Sequence, residues 1–87
     1  IKKLQKKDVK VISIEQADES LKLENFIPVK GAKYAFIFGN EVDGVSDDTI
    51  NISDEVIEIP QVGTKHSLNV SVAAGIVLWD FFYKTEL

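Results

Sequence analysis

The 87-residue sequence predicts an α/β domain, a parallel sheet with flanking helices, and three observations carry that expectation. First, VKVISI (9–14), YAFIF (34–38) and VIEI (56–59) are short runs rich in β-branched and aromatic residues. Second, each pair of runs is separated by enough chain for a crossover rather than a hairpin, which favours parallel strands covered by helices. Third, the chain closes on a long helical stretch, 68–83, that is apolar on nearly every side: Leu68, Val70, Val72, Ala73, Ala74, Ile76, Val77, Leu78, Trp79, Phe81 and Phe82. A helix without a wet face has to be covered on more than one side, so a partner surface is expected as well as the sheet.

Taken in order, Ile1–Lys7 reads as the end of a helix, with Ile1 and Leu4 inward and lysines near its carboxyl terminus, where the helix dipole favours them. Val9–Ile14 alternates apolar and polar residues as a strand. Glu15–Phe26 carries Ala17, Leu21 and Leu23 among acids and reads as a loop holding one or two helical turns. Pro28 and Gly31 mark a turn. The continuous apolar run Tyr34–Phe38 predicts a strand buried on both faces. Gly39–Gly44 is a loop with glycine at each end. Ser46 is a suitable N-cap ahead of Asp47 and Asp48, and it starts a short helix with Ile50 inward that ends near Asn51–Asp54. Val56–Ile59 is the third strand, stopped by Pro60. Gly63 turns the chain into the final helix, for which Ser67 is the expected cap.

Composition narrows the function. A hydrophobic content of 45% supports a core rather than disorder. There is no cysteine and the single histidine is His66, so neither a disulfide framework nor a thiolate or histidine metal site is expected. No run has the length and apolarity of a membrane span and no signal peptide opens the chain, so a cytoplasmic location is the default. The net charge of −4 argues against a free-standing nucleic-acid binder, and the lysines at 2, 3, 6, 7 and 10 read first as a solvated helix end. Methionine is absent and the chain begins at Ile1, so residues 1–87 are expected to be one domain fragment, the tail of a longer protein.

In open parallel sheets ligands sit beyond the carboxyl ends of the strands. Here that edge comprises the loops after Ile14, Phe38 and Ile59. Gly39, Gly44 and Gly63 allow close backbone approach, and the first amides of the final helix point outward unpaired. The glycine spacing matches neither a Walker loop nor G-x-G-x-x-G, so ordinary turn glycines remain the simpler reading. Asn69 is an amide in the first turn of an otherwise dry helix. It needs a partner, because burying it without one costs roughly 1–3 kcal/mol. Ser67 and His66 are sequence neighbours at a helix start and do not face each other as a hydrolase triad would.

Two segments carry a family resemblance. FGNEVDGV (38–45) resembles the second sequence motif of the SpoU/TrmH family of RNA ribose methyltransferases, and IPQVGTKHSLNVSVA (59–73) resembles its third, at a fitting separation. The resemblance covers essentially the whole chain and corresponds to the C-terminal half of the family's catalytic domain. It implies a SPOUT-type fold with a C-terminal trefoil knot, which composition alone would never suggest. It implies transfer of a methyl group from S-adenosylmethionine to a ribose 2′-hydroxyl of tRNA or rRNA. It places the cofactor at Gly39, Ile59, Leu68 and Asn69, and the active-site groups at Glu41, Ser67 and Asn69. It also implies a homodimer through the final helix, which would explain the missing wet face. Gln61, Ser67–Val70 and Trp79 look closest to members acting on a tRNA guanosine.

The family draws the 2′-hydroxyl proton away with an arginine of its first motif. All ten basic residues here are lysines, so this chain on its own is expected to be catalytically incompetent. Two other readings stand beside this one: a non-catalytic relative that dimerises or holds RNA, and a flavodoxin-like nucleotide-binding domain with an unknotted sheet. Trp79→Ala is expected to cost roughly 3–5 kcal/mol if the indole is buried, and to break the dimer before it disturbs the cofactor loops.

Overall fold

A computed structural model gives the fold and describes residues 1–16, 20–39, 44–60 and 69–87. The elements run α1 (Lys2–Lys6), β1 (Val9–Ile14), β2 (Leu21–Lys22), β3 (Lys33–Phe38), α2 (Asp47–Ile52), β4 (Glu55–Glu58) and α3 (Val70–Glu86). The four strands form one parallel sheet in the order β2-β4-β1-β3. The expected α/β class is therefore what the chain adopts. The knot depends on the path of residues 61–68, which lie outside the described residues.

Alternation along the strands sorts the side chains onto two faces. On one face, Ile12, Leu23, Phe26, Ile57 and Val77 form the buried cluster, with Ile14, Leu21, Tyr34, Phe36, Phe38, Ile59 and Phe81 packed against it. The aromatic rings interlock edge to face: Tyr34 with Phe26 at 5.8 Å and with Phe81 at 5.3 Å, and Phe36 with Phe81 at 5.5 Å between centroids. On the other face of β1, Val11 and Ser13 are fully buried. The Ser53 hydroxyl donates to the Thr49 carbonyl at 2.7 Å, which leaves Ser53 Oγ to accept the Ser13 proton at 2.6 Å. The buried polar group is thus satisfied.

Two side chains extend the backbone framework. Asp54 Oδ2 accepts from the Val11 amide at 2.7 Å, while the Asp54 amide donates to Val11 O at 2.8 Å, so the β1–β4 ladder gains a rung beyond the strand. At the far end of α3, Lys84 donates to the carbonyls of Leu23 and Phe26, each at 2.8 Å, and pairs with Asp80 at 2.7 Å. These bonds clamp the 3-10 turn Leu23–Asn25 to the helix.

Several expectations are corrected. Leu4 is not inward but exposed, and α1 docks instead through Gln5, whose amide donates to Ile52 O at 2.8 Å. Within Glu15–Phe26 the 3-10 turn Leu23–Asn25 is an expected helical turn, but Leu21–Lys22 form a short strand that the loop reading does not include. Tyr34–Phe38 is half-buried rather than buried on both faces, because the strand order puts β3 at an edge. The final helix is capped by Asn69, not Ser67. Trp79 is 61% exposed in the protomer, so no cavity arises there on truncation. The Ser46 cap holds as expected, its side chain accepting from the Thr49 amide at 3.2 Å. Asp8 at φ 62° ends α1 in the left-handed conformation, an aspartate in the place glycine more often takes.

Candidate functional site

The carboxyl edge of the sheet is built around the end of β1. Ile14 is aligned with Phe38 of β3 on one side and with Ile57 of β4 on the other. Gly39, the next residue after Phe38, and Ile59, two residues after Ile57, therefore flank the end of β1, and two strand spacings separate them by about 10 Å. Of the expected cofactor positions, these two lie at the same edge of the sheet. Glu41, Ser67 and Leu68 lie outside the described residues, as does Gly63.

Asn69 begins α3. It is exposed, and its Oδ1 accepts from the Ser71 amide at 2.8 Å while its carbonyl receives the Ala73 amide at 2.9 Å. Asn69 is thus exposed rather than buried in a dry helix, and its Oδ1 accepts within the helix's own first turn as a cap.

Gly44 and Val45 lie against Gly39 at the end of β3. A Cβ on Gly39 would run into the backbone of Gly44 and Val45, and Gly44 itself sits at φ 67°. Only glycine fits the first position, and glycine is favoured at the second. The side chain facing Gly44 is Glu15, whose Oε2 accepts from the Val45 amide at 2.7 Å. On the other side of the edge, Ser20 Oγ donates to Glu58 Oε1 at 3.0 Å, joining the approach to β2 with the end of β4.

Neither Glu15 nor Glu58 belongs to a recognisable sequence motif. The available signal for Glu15 was its position: it is the first residue past a strand on the edge where ligands bind. In a segment rich in acids, that signal was hidden.

The described residues at this edge include Ile14, Glu15, Phe38, Gly39, Glu58 and Ile59, and the start of α3 adjoins it in sequence through residues 60–69. Among the described residues no group of three or more acids or histidines is placed to hold a metal ion.

The profile of the SpoU rRNA Methylase family matches residues 1–79. A tRNA (guanosine(18)-2′-O)-methyltransferase of Aquifex aeolicus (strain VF5) is 50% identical over 44 residues, 51% of this chain and 21% of the relative. A 23S rRNA (guanosine-2′-O-)-methyltransferase RlmB of Xylella fastidiosa (strain 9a5c) is 38% identical over 81 residues, 92% of this chain and 31% of the relative. The chain thus spans less than a third of either relative. The crystal structure of the A. aeolicus TrmH/SpoU tRNA modifying enzyme superposes with a TM-score of 0.81 at 29% identity, covering 94% of this chain and 41% of that one. AviRb from Streptomyces viridochromogenes, a SpoU methyltransferase solved in complex with AdoMet, superposes with a TM-score of 0.70 at 22% identity, covering 83% of this chain and 26% of that one, a likeness of fold alone. With more than half of the sequence under one family profile, a flavodoxin-like assignment is set aside, and the chain belongs to the SpoU rRNA Methylase family.

Proposed function

We propose that this chain is the cofactor-binding part of an S-adenosylmethionine-dependent RNA ribose 2′-O-methyltransferase, with a tRNA guanosine as the favoured substrate. The observation that carries the reading is the placement of Gly39 and Ile59 on either side of the β1 end, in a chain whose relatives are named for this chemistry. In this reading Gly39, Ile59, Leu68 and Asn69 hold the cofactor, and Glu41, Ser67 and Asn69 shape the site around the ribose. The bound cofactor supplies an electrophilic methyl group. The residues of this chain bind and orient, since the proton of the 2′-hydroxyl falls to an arginine and the chain has none. The C-terminal knot belongs to the same proposal.

A homodimer through α3 is part of this reading too. Support comes from Val72, Ile76, Leu78, Trp79, Phe82 and Tyr83, large apolar residues left exposed on a single helix.

The test is titration of S-adenosylhomocysteine into the intact protein. Saturable binding is expected, weakened about tenfold by Asn69→Ala, a loss of about 1.4 kcal/mol. No binding by an intact dimer sinks the proposal. Cofactor binding without methyl transfer to any tRNA or rRNA favours the non-catalytic relative instead, a reading that the absence of arginine in this chain keeps open.

A further inference from the structure

We infer that Glu15 is a positioning residue: its carboxylate ties the loop after β3 to the end of β1 and so holds one wall of the candidate cofactor site. The inference about the loop stands on geometry, and its consequence for the cofactor rests on the function proposed above.

Glu15 is held by its backbone on one side and reaches out with its side chain on the other. Its amide donates to Ile57 O at 3.0 Å, continuing the β1–β4 ladder past the last residue of β1. In register it lies beside Gly39. Its two carboxylate oxygens are both engaged: Oε2 accepts from the Val45 amide at 2.7 Å and Oε1 from the Gln16 amide at 3.0 Å. Both partners are backbone N–H donors, so the position calls for a group that only accepts. A carboxylate does this with both oxygens, whereas a carboxamide would turn an NH2 toward one of the donors.

The same contact accounts for Gly44. A Cβ there would be directed at the Glu15 carboxylate, so the glycine leaves room for the bond to its neighbour Val45. Gly39 admits the returning backbone from below. The three residues act as a latch that returns the chain after β3 to the sheet edge.

The latch is read directly by amide hydrogen exchange at Val45 in the intact protein, with Ile12 in the buried core as the internal control. Glu15→Ala is expected to raise Val45 exchange about tenfold, the scale of a lost hydrogen bond to a charged group, while Ile12 protection stays unchanged. Glu15→Gln, which keeps the volume and loses one acceptor, should give a smaller rise. Gly44→Ala should reproduce the Glu15→Ala effect with the carboxylate still present. If Glu15→Ala does not fold, the other two variants decide. Unchanged Val45 exchange in folded variants overturns the inference.

S-adenosylhomocysteine titration of the same proteins then separates the two claims. Weaker cofactor binding in step with faster Val45 exchange supports the latch as a wall of the site. Faster exchange with unaltered cofactor affinity overturns that second part. Wild-type protein that binds no cofactor defeats the proposed function, while Val45 exchange still decides the role of Glu15.

Discussion

One face of α3 lays Ala73, Val77 and Phe81 on the sheet and ends in the Lys84 clamp. The opposite face carries Val72, Ile76, Trp79, Phe82 and Tyr83 into solvent, with the Trp79 ring 5.8 Å from Phe82 and 6.3 Å from Tyr83. The residue types differ little between the two faces, yet Val77 is 1% exposed and Trp79 is 61% exposed. The fourfold spacing of 73, 77 and 81 matches one helical stripe, and a single sheet covers only one stripe. The protomer buries one stripe of this all-round apolar helix and leaves the other exposed.

Substitutions on the two faces test that division, and unfolding in urea gives the common scale. The largest effect is expected on the inner face: Phe81→Ala removes the ring shared by Tyr34 and Phe36 and should cost about 3 kcal/mol. Lys84→Met should cost about 2 kcal/mol, because it strands the Leu23 and Phe26 carbonyls and the Asp80 carboxylate together. Asn69→Ala, at the helix cap between the faces, should cost about 1 kcal/mol. On the outer face, Trp79→Ala should change protomer stability by no more than about 0.5 kcal/mol at protein concentrations too low for association. In gel filtration at high concentration the same variant should elute as a smaller species than wild type. An unchanged elution position would separate the exposed aromatic patch from any dimer.

The carboxyl edge of the sheet teaches a related lesson about the site. Gly39 follows a run whose strand character is local, and the rule that ligands gather beyond strand ends needs no strand order, whereas Ile59, the last residue of an expected strand, enters only through the family resemblance. Asn69 stands out as an amide in need of a partner, and the local bond it accepts from the Ser71 amide makes it the cap. The role of Glu15 lies in a bond to Val45, 30 residues away in sequence, which no local pattern records. Leu4 was placed inward by helical spacing, but Gln5 docks that helix, through a contact to Ile52 spanning 47 residues.

The sequence by itself determined the α/β class, the three principal strands, the Ser46 cap and the family, because these rest on periodicity, capping chemistry and two contiguous motifs. Tertiary structure alone decided that β1 is central and β3 an edge, which stripe of α3 is dry, and which acid latches the loop after β3. Strand order and side-chain partners come from pairings between distant segments. Their free energy depends on which surfaces meet, and local propensity carries no record of that choice.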